Sequence, residues 1–157
     1  MQSALSVYMG SEAAKAIGEQ GWQSAPFNTL IGASGGPKWL ILSELDKVLG
    51  HSLLLGRGEP MTLLGSSIGP RRHACLSLND SGAAISRLQQ AYLYHEYSRA
   101  RPSPIEVSEV AEQMLRRALG PEGARQIAAH PTLHNAIGTA RAKGVARGKC
   151  GWKLGMG

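Results

Sequence analysis

No apolar run in the sequence approaches the roughly 20 residues that cross a bilayer as a helix, which excludes a spanning segment of that kind. The opening residues, MQSALSVYMGSEAAK, lack a basic region followed by an apolar core, so the expected compartment is the cytoplasm. Cysteine is scarce. Cys75 lies between Ala74 and Leu76 in a helical pattern and Cys150 in a glycine-rich tail, a placement that predicts neither a disulfide nor a metal site. No cofactor is expected. Aspartate is equally rare: only Asp46 and Asp80 occur, which bears on any chemistry that needs a carboxylate base.

What is present suits a globular fold. A chain of 157 residues with 43% hydrophobic and 18% charged residues can bury one core, so a single domain over 1–137 is expected. The formal charge of +6 invites a nucleic-acid reading, but its location argues against one. Between Gly138 and Gly157 lie Arg141, Lys143, Arg147, Lys149 and Lys153 with no acidic residue, and these five account for all but one of the net charges. The body is nearly neutral, and specific nucleic-acid binding is not expected of it. The tail, 138–157, has no apolar period and is expected to be poorly ordered.

Residues 11–20 read as a short helix with Ser11 as its cap, and residues 27–33 as a buried strand. Residues 37–49 carry Ile41, Leu42, Leu45, Val48 and Leu49 at helical spacing, begin with proline and stop at Gly50. A second strand over 61–65 is followed by a helix over about 70–78. Two successive strand-turn-helix units predict an α/β fold with a parallel sheet and crossover helices. Further helices are expected around Ile85, Leu88 and Tyr92, from Pro104 onward behind a Ser103–Glu106 capping box, and over 122–129. A third, weaker strand is expected over 133–140.

Both strand-to-helix turns contain Gly-x-Ser-x-Gly, once as Gly32 to Gly36 around Ser34 and once as Gly65 to Gly69 around Ser67. A serine hydroxyl becomes a useful nucleophile when a sharp turn holds it clear of its own strand and helix, near a base and backbone N–H donors. Gly65 and Gly69 supply that elbow for Ser67. Capping of the following helix by Ser66 or Ser67 is the structural alternative. In SGGPK, Gly35 and Gly36 instead offer two N–H groups at a helix start beside Lys38, which suits an oxyanion. A phosphate loop is excluded because Pro37 precedes Lys38 and Trp39 follows it. The dinucleotide fingerprint fails too, since the glycines are misplaced and Asp46 falls within the next helix.

The order strand, Gly-Gly-x-Lys loop, helix, strand, Gly-x-Ser-x-Gly elbow, helix resembles the patatin-like phospholipases. The likeness is to a bacterial-type subgroup with GASGGPKWL and GSSIG about thirty residues apart, and it covers roughly residues 10–145. It implies a three-layer α/β/α core, incomplete at the C-terminus, and a lipid acyl hydrolase with a Ser-Asp dyad. Ser67 would be the nucleophile, Gly35, Gly36 and Lys38 the oxyanion loop, and Ile68, after the nucleophile, part of the substrate side. The substrate would be a lipid or other carboxylic ester, with peripheral membrane contact. Departures are Ser34 and Trp39 for loop glycines, and Pro70 and Arg71 for Ala-Trp after the elbow.

The family's aspartate lies in a downstream Asp-Gly pair, and this chain has none. Asp46 sits on a helix and Asp80 reads as a helix cap. The expectation is a truncated or frame-shifted member, weak or inactive for lack of its base. A Ser-Asp-His triad is the rival scheme, since His73, His95, His130 and His134 all follow Ser67. His73 and His95 read as surface or interface residues, and His130 and His134 flank a proline turn without an assignment. A different class altogether is a non-catalytic remnant binding anions through SGGPK or nucleic acid through the tail.

Overall fold

The computed structural model describes residues 6–21, 27–33 and 35–141; the tail expectations, Cys150 and Ser34 lie outside them. Helix α1 spans Ser11–Gln20, and its cap position is taken by Gly10, with no side-chain bond from Ser11. Strand β1 (Thr29–Gly32) leads through a 3-10 turn, Gly36–Lys38, into α2 (Trp39–Leu49). The helix does not stop at Gly50 as expected. It widens into a π-helical turn, Gly50–Leu54, because Gly50 keeps helical dihedrals and Leu55 N–H reaches back to the Gly50 carbonyl at 2.9 Å.

Strand β2 (Met61–Ser66) is followed by α3 (Gly69–Leu76), α4 (Ser81–Leu93), α5 (Pro104–Leu119), α6 (Gly123–Ala128) and β3 (Leu133–Gly138). The strands form one sheet in the order β1-β2-β3, every pair parallel. Gly32 faces Gly65, and Ser66 faces Gly138, so all three strands end at the same edge. The chain is therefore an α/β fold built on a parallel sheet.

Side chains alternate across a strand, and β2 follows that period closely. Met61, Leu63 and Gly65 are buried under the helices, while Leu64 between them is 41% exposed. Met61, Leu63 and Leu133 join Trp39, Cys75, Leu76, Ile85, Leu88 and Ala118 in one core. Each large apolar side chain so buried contributes roughly 1.5–3 kcal/mol. The other face carries Ile31, 72% exposed, beside Leu64. Parallel sheets are usually covered on both faces, but among the described residues a second helical layer does not bury this one.

The α2 helix turns a different stripe inward from the one its apolar residues predict. Ile41 is 82% and Val48 59% exposed, whereas Trp39, Ser43, Asp46 and Gly50 are buried. Those four positions also recur at helical spacing, and Trp39 anchors the stripe edge-on against Tyr92 of α4 at 5.8 Å between ring centroids. Trp39, a departure from the resembled loop pattern, is thus a core residue here. At α5, Ser103 Oγ accepts from Glu106 N–H at 3.1 Å, as the capping box predicts, but the Glu106 carboxylate accepts from Ser98 N–H instead of returning to Ser103. No helix of the described residues is long and apolar enough to cross a membrane.

Candidate active site

The turn after β2 contains the strained residue of the fold. Ser67 has φ 57°, and among the described residues every other positive φ belongs to a glycine. A residue with a side chain pays about 1–3 kcal/mol for such a conformation, so the surroundings must enforce it. The glycines do so by bringing the chain back upon itself. A methyl group on Gly65 would lie 2.7 Å from the Pro70 nitrogen and 2.8 Å from the Gly69 carbonyl carbon. The helix leaves the strand too steeply for side chains at those places. Ser67 stands exposed at the apex, and Ile68 behind it is buried with its carbonyl accepting from Arg71 and Arg72 N–H. The sharp strand-to-helix elbow drawn from the motif is therefore present, with Ser67 at its turn and Ile68 in the cap position of α3.

The SGGPK loop lies at the neighbouring strand end. Gly32 and Gly65 are register partners, so the loop leaving β1 and the elbow leaving β2 start side by side at the carboxyl edge of the sheet. Gly69 of the elbow meets the Gly32 backbone directly, with 2.3 Å from a hypothetical Gly69 methyl to the Gly32 oxygen. Gly36 adopts φ 49°, and Lys38 N–H closes the 3-10 turn on the Gly35 carbonyl at 3.1 Å. The N–H groups of Gly35 and Gly36 precede that bond, where a helix leaves donors without internal partners. Gly35 and Gly36 are half-buried and Lys38 is exposed.

Neither aspartate stands ready for Ser67. Asp46, 1% exposed, receives both Nε and a terminal nitrogen of Arg72 at 2.7 and 2.6 Å. Asp80 lies beyond the far end of α3, which at eight residues spans about 12 Å. It occupies the cap position of α4 but makes no capping bond; its carboxylate pairs with Arg87 at 2.7 Å, which holds it below the usual carboxylate range.

The histidines divide similarly. His73 is 2% exposed and therefore not the surface residue its basic neighbours suggest. Its ring fills the space left by Gly32, whose hypothetical methyl would lie 2.7 Å from Cε1 and Nε2. Nδ1 has no hydrogen-bond partner, and burial, with Arg72 nearby, pushes the imidazole below its ordinary value. His95 bonds the Tyr92 carbonyl through Nδ1 at 2.7 Å and stacks edge-on against Tyr92 and Tyr97. His130 Nδ1 accepts from Thr132 and Leu133 N–H at the amino end of β3, and His134 is level with Thr62, so both lie toward the end of the sheet away from Ser67. No triad around Ser67 is assembled from these four.

A cavity of about 430 Å³ opens between Leu54, Arg57, Asn79, His130 and Leu133, at the amino end of the sheet and away from the elbow. Arg57 braces that end, donating to the Glu59 and Phe27 carbonyls. Among the described residues no three His, Cys, Asp or Glu side chains gather as a metal site. Cys75 is fully buried, and burial pushes its thiol up to about 12, which keeps it protonated.

Sequence reasoning missed the Asp46–Arg72 pair and the burial of His73. The pair leaves a faint signal: Asp46 and Ser43 share a helical stripe with Trp39, so polar residues interrupt what could be a core face. His73 leaves none, because its burial depends on an absent side chain 41 positions earlier. Comparison with protein-family models, with curated proteins and with solved structures found no match.

Proposed function

We propose that the elbow and the adjoining glycine loop form an acyl-transfer site of patatin-like type, acting on a carboxylic ester of lipid character. The observation that carries the reading is the left-handed, exposed Ser67 at the carboxyl edge, where the loop bearing Gly35 and Gly36 leaves the neighbouring strand. The cap position of α3 falls to Ile68, so Ser67 does not take this conformation as the helix's cap residue. Ser67 Oγ bonds to the ester carbonyl carbon, and the N–H groups of Gly35, Gly36 and Ile68 stabilise the negative oxygen. Collapse expels the alcohol, which takes up the serine proton, and water then releases the acid from the acyl-enzyme.

Proton removal is the weak step in this chain. Asp46 is committed to Arg72, and Asp80 is at the far end of α3. Donors and binding alone sustain roughly 10³ to 10⁴-fold catalysis over water when a triad member is missing, so slow turnover is expected. The test is hydrolysis of a short-chain aryl ester by the 157-residue protein beside Ser67→Ala. Slow hydrolysis lost in Ser67→Ala supports the reading. Equal rates in both proteins contradict it, and fast hydrolysis lost in Ser67→Ala would require an efficient base other than Asp46 and Asp80.

A further inference from the structure

We propose that Arg72 and Asp46 are positioning residues, setting the glycine loop against the Ser67 elbow; the inference rests on the acyl-transfer reading of that elbow. The two residues belong to the helices that follow the two halves of the site. Asp46 is on α2, which begins immediately after the SGGPK loop, and Arg72 is in the first turn of α3, which begins at the elbow. Arg72 N–H also donates to the carbonyl of Ile68, the residue after Ser67. One side chain and its own backbone therefore connect the elbow to the helix that carries the loop.

The chemistry of the pair suits alignment better than cohesion. Both charges leave water, with Asp46 1% and the Arg72 side chain 12% exposed. Desolvation offsets most of the attraction in such a pair, and apolar replacements of similar volume are often neutral or stabilising. A two-point fork, in contrast, fixes both distance and orientation between planar groups. That restraint matters here because α2 does not bury its broad apolar stripe. With Ile41 and Val48 outward, its inner stripe consists of Trp39, Ser43, Asp46 and Gly50. Ser43 Oγ is turned to the Leu40 carbonyl of its own helix at 2.7 Å, so Asp46 is the charged anchor between α2 and the elbow helix. Rotation of α2 would move Lys38 and the Gly35 and Gly36 donors with it.

Two measurements on the full 157-residue chain test this. The first is the rate of reaction with a p-nitrophenyl alkylphosphonate, in which the Ser67 oxygen bonds to phosphorus, p-nitrophenolate leaves and the serine proton passes to solvent. The second is amide exchange over residues 35–39 and 61–66. Asp46→Leu combined with Arg72→Met removes the charges while retaining volume, and Arg72→Lys retains the charge without the fork. The expected result is at least a tenfold slower reaction in each, faster exchange over 35–39, unchanged exchange over 61–66 and, for the double variant, an unaltered thermal midpoint. Parental rates and loop exchange in the double variant would overturn the proposal. So would a general rise in exchange with a lowered midpoint, which marks a pair that only holds the fold together. Should the double variant not fold, Arg72→Lys decides by the same two readouts. If the parent itself does not react, the acyl-transfer reading fails, while loop exchange still decides whether the pair positions the loop.

Discussion

Gly69 and Gly32 touch through their backbones, and a methyl group on Gly69 would lie 2.3 Å from the Gly32 carbonyl oxygen. The contact joins the elbow of β2 to the end of β1 and explains why two glycine turns 37 positions apart can form one site. Gly69→Ala should destabilise the fold by about 3 kcal/mol, since backbone must move on one side or the other. Gly32→Ala should cost about 2–3 kcal/mol through collision with the buried His73 ring. Gly82, in α4, has open space around it, so Gly82→Ala should stabilise by about 0.5–1 kcal/mol. Urea unfolding of the three variants checks the order.

Ser67 should show opposed demands of stability and chemistry. Ser67→Gly relieves the left-handed strain and should raise stability by about 1 kcal/mol, whereas Ser67→Ala keeps the strain and should leave stability within about 0.5 kcal/mol. Both remove the hydroxyl, so both should abolish the slow ester hydrolysis. A loss of stability in Ser67→Gly would mean that the hydroxyl holds the turn.

His73 predicts an acid-side loss of stability. Its imidazole titrates below the ordinary value in the fold and near about 6.5 when unfolded, so between those values the unfolded chain binds the extra proton. The His73 contribution should therefore be constant above about pH 7 and be lost as pH drops below about 6.5. His130 is shifted in the same direction by burial and by His134, so the parent carries both contributions. Asp80 acts in a lower window, losing its contribution as pH falls below about 4. The slope near pH 6 in thermal unfolding should flatten in His73→Gln, and an unchanged slope would assign it to His130.

The helix α2 gives a direct check of its inverted packing. Ile41→Ser should cost less than about 0.5 kcal/mol because Ile41 is 82% exposed, while Leu63→Ala, fully buried in β2, should cost about 2–5 kcal/mol. Comparable losses would place the Ile41 stripe inward.

Local chemistry was legible in this sequence, and long-range choices were not. Turn glycines, the proline at the head of α5 and the Ser103 cap mark their elements within a few residues, so β2, the elbow and α5 follow from the residues themselves. Parallel pairing of β1 with β2 follows from the crossover length. In α2, two stripes compete at the same spacing. Leu45 and its neighbours satisfy the hydrophobic period, yet Arg72, 26 positions away, pairs with Asp46 and the less apolar stripe turns inward. The burial of His73 likewise depends on the empty place at Gly32. The continuation of α2 into a π-helical turn at Gly50 was hidden because glycine there keeps an ordinary helical φ of −55° instead of ending the helix.

Whether Ser67 forms the covalent intermediate is read by mass spectrometry of the protein quenched during turnover of a short-chain p-nitrophenyl ester. Slow deacylation should let the acyl-enzyme accumulate, and one added acyl group is expected on the peptide containing Ser67, absent in Ser67→Ala. An acyl group found on Ser34 or Ser66 and retained in Ser67→Ala, or hydrolysis with no acylated protein in either, would contradict it.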